Sequence, residues 1–157
     1  MLSNKFNFDK VILQFKGIDL SLDMANTAKN DFLGNFKNQG FGGTKWIDVQ
    51  RRNPDSEWYK KGTESDRNRA ILQGKGSGKL RKDVSNSVKS GHKNNNLSYT
   101  LIVNNPYASV HNEGGIAKIY GKKSFKMPKR QFVGMTPELN RKLLLKISQK
   151  TNKIWGI

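Results

Sequence analysis

The chain contains no cysteine and no long apolar run, and its second half has very few acidic residues. The missing cysteine excludes a disulfide framework and thiolate chemistry. No apolar stretch approaches the ~18 residues of a membrane-spanning helix. Asp9 and Lys10 also interrupt the apolar residues near the N-terminus, which argues against a secretory signal. We therefore expect one domain over residues 1–157, made in a cytoplasm, with no membrane partner.

Histidine is also scarce, and neither copy stands in a catalytic or metal-binding pattern. His92 lies in a polar turn, and His111 has only Glu113 near it in sequence, which is too few ligands for zinc. Ser109 and His111 lack the oriented acid and the strained turn of a nucleophilic triad. We therefore expect neither enzymatic activity nor a cofactor.

Two other stretches imitate catalytic patterns without completing them. The glycine run at residues 74–79 resembles a phosphate-binding loop, but Gln73 replaces the first glycine and Leu80 follows Lys79. We interpret this run as a flexible connection. The single acid-rich tract lies among lysines and arginines, so a metal-dependent nuclease is the weakest alternative. Its acidic residues are Asp48, Asp55, Glu57, Glu64 and Asp66.

Positive charge is abundant and one-sided. Residues 1–66 carry ten basic and nine acidic side chains, whereas residues 67–157 carry nineteen basic and three acidic ones, which is +16 of the total +17. A charge of this size indicates partners rather than a fold: nucleic acid, an anionic membrane or an acidic protein surface. The plain alternative is a solvated basic face that keeps the protein soluble.

The pattern of apolar residues predicts an α+β fold. Steps of three and four residues, as from Leu22 to Phe32 and Phe36, predict a long amphipathic helix over residues 19–38. Residues 97–103 are rich in β-forming residues and predict a strand of a small antiparallel sheet that packs on this helix. Thr136 before Pro137 predicts the start of a C-terminal amphipathic helix.

The intervening segments are less regular. Residues 50–80 are polar and contain Pro54 and Gly62, so we predict a long loop that is exposed or orders only against a partner subunit. Residues 5–16 suit a strand and a helix equally. Residues 107–113 predict a short helix, and residues 116–125 predict a basic hairpin.

The stretch from Leu80 to Val88 is ambiguous. Its apolar residues are four apart, which suits a helix, but its β-branched and serine residues suit a strand. We choose a strand that leads into a hairpin. Tryptophans most often fill cores or interfaces. We assign Trp46 to the core, and Trp58 and Trp155 to contacts with neighbouring subunits.

Four segments stand in a recognisable order and spacing. They are Phe36–Gln39 leading to Gly43 and Trp46, then Ile71–Leu72 with Gly78–Val84, then Tyr107–Gly115, and finally Met127–Gly134. Together they resemble the phage virion morphogenesis family, the Mu-type and P2-type tail completion proteins. The third is similar to that family's Tyr-Ala-x-x-His-x-x-Gly-Gly, and the fourth to its Pro-x-Arg-x-Phe-x-Gly. The resemblance covers about residues 19–155.

This resemblance implies a structural virion protein at the head–tail junction of a tailed phage. Such proteins form rings, usually sixfold, that surround the DNA channel and join or stabilise head and tail. The implied partners are copies of the chain in a hexameric ring, other neck, connector or tail proteins, and double-stranded DNA that passes non-specifically through the lumen. The family has a helix packed on a small antiparallel sheet and no known catalytic role.

Two sets of residues are expected to act in such a ring. A basic cluster would line the lumen or meet an acidic ring: Lys118, Lys122, Lys123, Lys126, Lys129 and Arg130. Subunit interfaces would include Trp58, Tyr107, His111, Phe132 and Trp155. The alternative function is a basic nucleic-acid-binding protein without catalytic activity, which charge and aromatic content alone support.

Overall fold

The computed structural model describes residues 18–75, 78–93, 96–119 and 123–155, with the backbone alone given at 18–19, 89–93, 96–98, 119, 123 and 153–155. The predicted α+β class is confirmed. Two long helices lie near the two ends of the described chain, and short helices and small antiparallel sheets lie between them in sequence. The segment at residues 5–16 lies outside the described residues. No helix in the described part is long and apolar enough to cross a membrane.

The first long helix, α1, spans Ile18–Asn38 and confirms the prediction from apolar spacing. Met24, Ala28, Phe32 and Phe36 are buried, because their spacing places them on one face of the helix. A tight hairpin of β1 (Gly40–Phe41) and β2 (Thr44–Lys45) follows α1. Any side chain at Gly40 would collide with the backbone carbonyl of Thr44, so glycine is required there.

The second long helix, α6, spans Pro137–Trp155 and packs against α1. The Thr136 hydroxyl accepts a 3.0 Å hydrogen bond from the backbone N–H of Leu139, which confirms the predicted cap. Leu139 and Leu143 are fully buried between the two helices. Two ion pairs, both 3.0 Å long, join the helices at the edge of this contact: Lys142 with Asp31, and Lys146 with Asp23.

A short helix and a hairpin cover another side of α1. The helix α4 spans Lys79–Ser85, and the hairpin consists of β3 (Val88–Lys93) and β4 (Asn96–Leu101). The predicted strand at residues 80–85 is therefore wrong. Leu80 and Val84 are both buried and one helical turn apart. Their four-residue spacing therefore determines the structure of this stretch, although its residues favour a strand. The predicted strand at 97–103 is confirmed as far as Leu101, and it packs on α1 as expected.

Residues 50–75 are polar, as predicted, but they are folded within the subunit rather than looped out. They form a 3-10 turn at Gln50–Arg52 and two short helices, α2 (Glu57–Lys60) and α3 (Glu64–Asn68). The side chains of residues 50–70 are exposed or half-buried, in agreement with the predicted exposure. That the stretch orders only against a partner stays a prediction. Hydrogen bonds from guanidinium groups hold this stretch together in place of a buried apolar core. One arginine can form several of them, because it has five N–H donors.

Three arginines hold this segment, which we call the arginine-bonded segment (residues 48–75). Arg51 donates to the carbonyl oxygens of Asp66 (2.8 Å), Arg69 (2.7 Å) and Ala70 (3.0 Å). Arg52 donates to the carbonyl oxygens of Arg67 and Arg69. Arg67 donates to those of Tyr59 and Gly62, and its guanidinium lies 4.1 Å from the centre of the Tyr59 ring. The carbonyl oxygens of Tyr59 and Ala70 also accept a backbone N–H in a turn, so the guanidinium groups add to the turn hydrogen bonds there.

The remaining elements are α5 (Ala108–Glu113) and a hairpin of β5 (Gly115–Ile119) and β6 (Lys123–Met127). Both match the predicted short helix and basic hairpin. Gly114, between α5 and β5, has a φ of +75°, and a Cβ there would lie 3.0 Å from the backbone nitrogen of Lys129. Glycine is therefore needed both for the turn and for the close approach of the two chain segments.

Three aromatic rings form the centre of the core. The rings of Phe36 and Phe132 are 5.1 Å apart, and Trp46 meets Phe36 edge-on at 6.0 Å. Trp46 is buried, which confirms its assignment to the core. Phe132 is 1% exposed, so its assignment to a subunit interface is wrong. Contacts within the subunit cover its ring and leave no surface for a neighbouring subunit.

Replacing Phe132 with alanine should destabilise the protein by about 3–5 kcal/mol, because a large side chain leaves a cavity in a packed core. Phe125→Ala is the matched control, since that ring is 38% exposed on β6 and should cost about 1 kcal/mol or less. Urea unfolding followed by circular dichroism gives both values. Equal losses in the two variants would contradict the central position of Phe132.

Candidate interaction surfaces

The third and fourth of the resembling segments, Tyr107–Gly115 and Met127–Gly134, contact each other and form a structural junction. The Asn112 side-chain oxygen accepts hydrogen bonds from the backbone N–H groups of Phe132 (3.0 Å) and Val133 (2.9 Å). The Phe132 carbonyl accepts one from the Asn35 amide (3.1 Å), and the Gln131 carbonyl accepts one from the Trp46 indole (2.7 Å). Residues from α1, α5 and the β2 end therefore fix residues 131–133 in place.

Arg130 belongs to this junction and not to a surface. Its side chain is 6% exposed, and it donates to the carbonyl oxygens of Ile47 (3.0 Å) and Asp48 (3.2 Å). Burial lowers the pKa of Arg130 from its usual value, although Asp48 opposes the shift. The prediction that Arg130 faces DNA or a partner is wrong, because both carbonyl groups lie within the subunit.

His111 lies at the edge of the same junction. Its backbone carbonyl accepts a 2.8 Å hydrogen bond from the backbone N–H of Arg130. Its buried Nδ1 has no hydrogen-bond partner in the described part of the chain. Burial lowers the pKa of the imidazole, and the nearby Arg130 charge acts in the same direction. The neutral form is therefore favoured. Its role in a subunit interface stays a prediction.

The β5–β6 hairpin, residues 115–127, forms an exposed basic surface that we call the basic hairpin. Its strand register pairs Ile116 with Lys126 and Lys118 with Ser124, so Ile116, Lys118 and Lys126 share one face. Ala117 and Phe125 pair on the other face. Ile116 is 76% exposed. Each face thus presents a large apolar side chain to solvent.

The other predicted basic residues are distributed around this hairpin. Lys129 is exposed just beyond β6, with its ammonium 3.8 Å from the Glu113 carboxylate. Lys123 belongs to β6, where the backbone alone is described, and Lys122 lies outside the described residues. The structure therefore brings Lys118 and Lys126 together, places Lys129 next to the hairpin base, and removes Arg130 from the set.

Two of the predicted interface aromatics lie on the surface. Trp58, on α2, is 71% exposed beside a cleft of about 540 Å³ that Arg51, Lys61 and Arg69 also line. Tyr107 is 66% exposed at the start of α5. Large exposed aromatic rings are typical anchors of protein interfaces. For Trp155 the structure describes the backbone alone.

The acid-rich tract does not assemble into a metal site. Among the described residues, no group of three or more histidine or acidic side chains is placed to hold a metal ion. Its acids bind neighbouring cations instead: Asp48 pairs with Arg52, and Glu57 pairs with Lys61. Asp66 accepts from the Thr63 hydroxyl (3.0 Å) and from Arg69 (2.8 Å).

Comparison with known proteins identifies no relative of this chain. No protein-family model matches it, and neither does any curated protein or any solved structure.

Asp66 should give the arginine-bonded segment a pH-dependent stability. Hydrogen bonds from Thr63 and Arg69 lower the pKa of Asp66 from its usual 3.8 to about 2. A lowered pKa contributes stability above the unfolded value, and this stability is lost as the pH falls through the folded value. Asp66→Asn should lower the melting temperature by about 2–4 °C at pH 7, with the difference closing between about pH 4 and pH 2.

Thermal unfolding followed by circular dichroism at several pH values measures this effect. Asp55→Asn is the control, because it makes the same charge change on an exposed acid that has no ion pair among the described residues. If the two variants melted alike at pH 7, Asp66 would have no such role.

Proposed function

We propose that the protein is a structural virion component of a tailed phage, which forms a ring at the head–tail junction around the DNA channel. It joins or stabilises head and tail, without catalytic activity or a cofactor. The basic hairpin is the observation that carries this proposal. The sequence resemblance supports it, since the third and fourth resembling segments flank this hairpin and hold its base.

Two features of the hairpin favour a neighbour. A two-stranded hairpin alone is marginally stable in water, and among the described residues β5 and β6 pair only with each other. Ile116 and Phe125 expose apolar surface on opposite faces. A hairpin that inserts into the next copy would bury both faces and satisfy both edges. Such a contact joins two different surfaces, and contacts of that kind build a ring when the rotation between neighbours closes.

The charge of the hairpin suits a DNA channel. Residues 115–127 contain four lysines and no acidic residue. Lysines on flexible stems attract phosphates without reading sequence, which allows DNA to slide. The second candidate, a free nucleic-acid-binding protein without catalysis, has one observation in its favour: the net charge of +16 over residues 67–157.

The assembly proposal predicts that the purified chain forms a closed ring, which negative-stain electron microscopy and sedimentation velocity detect. Ile116→Ser should shift the ring towards monomers, because it removes the most exposed apolar contact of the basic hairpin. Ile102→Ser is the control, since Ile102 is also exposed but lies outside the hairpin. A wild-type chain that stays monomeric at all concentrations and binds DNA tightly would favour the second candidate.

The channel proposal predicts a separate effect of charge. Lys118→Glu with Lys126→Glu should lower the yield of joined, infectious particles, while the isolated subunit still folds, because both side chains are exposed. Lys60→Glu with Lys61→Glu makes the same charge change at the C-terminal end of α2 and should have a smaller effect. A normal particle yield from the hairpin variant would contradict the channel role and leave the ring untouched.

A further inference from the structure

A second cleft, of about 630 Å³, lies between the end of α1, helix α4 and residues 70–73. Leu33, Ile71 and Leu72 give it an apolar wall. Three cations lie around it: Lys37 from the last turn of α1, and Arg81 and Lys82 from α4. We call it the α1–α4 cleft. It is formed by residues other than those of the basic hairpin.

The side chains of these three cations form no hydrogen bond or ion pair with another residue in the described part of the chain. The acid nearest in sequence, Asp83, is engaged elsewhere: its carboxylate accepts from the Asn105 amide at 2.7 Å and pairs with Lys79 at 3.3 Å. The cleft therefore combines an apolar wall with three positive side chains that no described acidic residue pairs with.

The wall of the cleft is held in place before any ligand arrives. The Gln39 side-chain oxygen accepts a 2.9 Å hydrogen bond from the Ile71 N–H, and Arg51 binds the carbonyl of Ala70. Leu72 has a φ of +60°, which is strained for a residue with a branched side chain. Strained backbone is retained where the surrounding bonds enforce it, often at binding sites. A prepared cleft loses less conformational entropy on binding.

We propose that the α1–α4 cleft binds a segment of a partner protein in which a large apolar side chain is flanked by carboxylates. The apolar residue would contact Leu33, Ile71 and Leu72, and the carboxylates would pair with Lys37, Arg81 and Lys82. Arginine can hold a carboxylate through two parallel hydrogen bonds, which fixes orientation as well as charge. This inference does not require the ring.

The cleft suits a peptide better than a nucleic acid. Single-stranded nucleic acid is held by aromatic faces on which bases stack. The aromatic residue that lines the cleft is Phe36, and its ring is buried against Trp46 and Phe132. An aliphatic wall offers no stacking surface but does accept leucine or phenylalanine side chains.

Fluorescence anisotropy with a labelled decapeptide, GSDELFEDSG, tests the proposal at about 0.1 M salt, where long-range attraction is screened. The peptide should bind the full-length chain. Arg81→Glu with Lys82→Glu should weaken binding by about tenfold or more, since it turns two attractions into repulsions. Lys126→Glu with Lys129→Glu makes the same charge change outside the cleft and should weaken binding by less than about threefold.

Two further arms separate the cleft from general charge attraction. The peptide GSDESSEDSG, which lacks the apolar pair, should bind at least about tenfold more weakly. Leu72→Asn should have a similar effect on the original peptide, because asparagine tolerates the left-handed backbone but makes the wall polar. Circular dichroism and thermal unfolding confirm that each variant is folded.

Three results would overturn the proposal. Equal weakening of binding by the cleft variant (Arg81→Glu with Lys82→Glu) and by the control variant (Lys126→Glu with Lys129→Glu) would mean that the +17 chain attracts any anion. Equal binding of the two peptides would remove the apolar contact. A twelve-nucleotide thymidine strand that binds the cleft more tightly than the peptide, and loses binding in the Arg81 and Lys82 variant, would assign the cleft to nucleic acid. The ring is measured separately by sedimentation, so either proposal can fail alone.

Discussion

Hydrogen bonds from arginine side chains to backbone carbonyl oxygens hold together the parts of this chain that apolar side chains do not reach. The core is modest, with 34% hydrophobic residues in the sequence. Arg51, Arg52 and Arg67 bind carbonyl groups of the arginine-bonded segment, and Arg130 joins the chain after β2 to the chain after β6. Lysine could not replace them, because one ammonium group cannot reach two or three carbonyl oxygens in fixed directions.

This constraint explains where sequence patterns succeed and where they fail. Helices α1 and α6 were predictable because their apolar residues recur with the helical period, and each has local start or stop signals. The strand at 97–101 was predictable from β-forming residues. Residues 50–75 were not, since a carbonyl acceptor has no sequence signature, and an arginine that binds one looks like any charged surface residue.

The candidate sites follow the same division. The basic hairpin was visible as a run of lysines between glycine and proline signals, and its exposed lysines are found there. Arg130 and Phe132 were misassigned because their burial depends on residues about 80 to 100 positions earlier: Ile47 and Asp48 for the arginine, Asn35 for the segment around the phenylalanine. The α1–α4 cleft had no signal, since its lining residues come from three separate stretches of the chain.

The arginine-bonded segment also has a thermodynamic consequence. Most of its guanidinium bonds join residues fewer than twenty positions apart. We therefore expect it to open as one cooperative unit while α1 and α6 stay paired. Opening would withdraw Ile71 and Leu72 and remove one side of the α1–α4 cleft. Any ligand that needs this side must favour the closed unit, and by linkage it slows hydrogen exchange at the amides of residues 51–71. Binding in the cleft would then lower the hydrogen-exchange rates of amides in the arginine-bonded segment that the ligand does not contact.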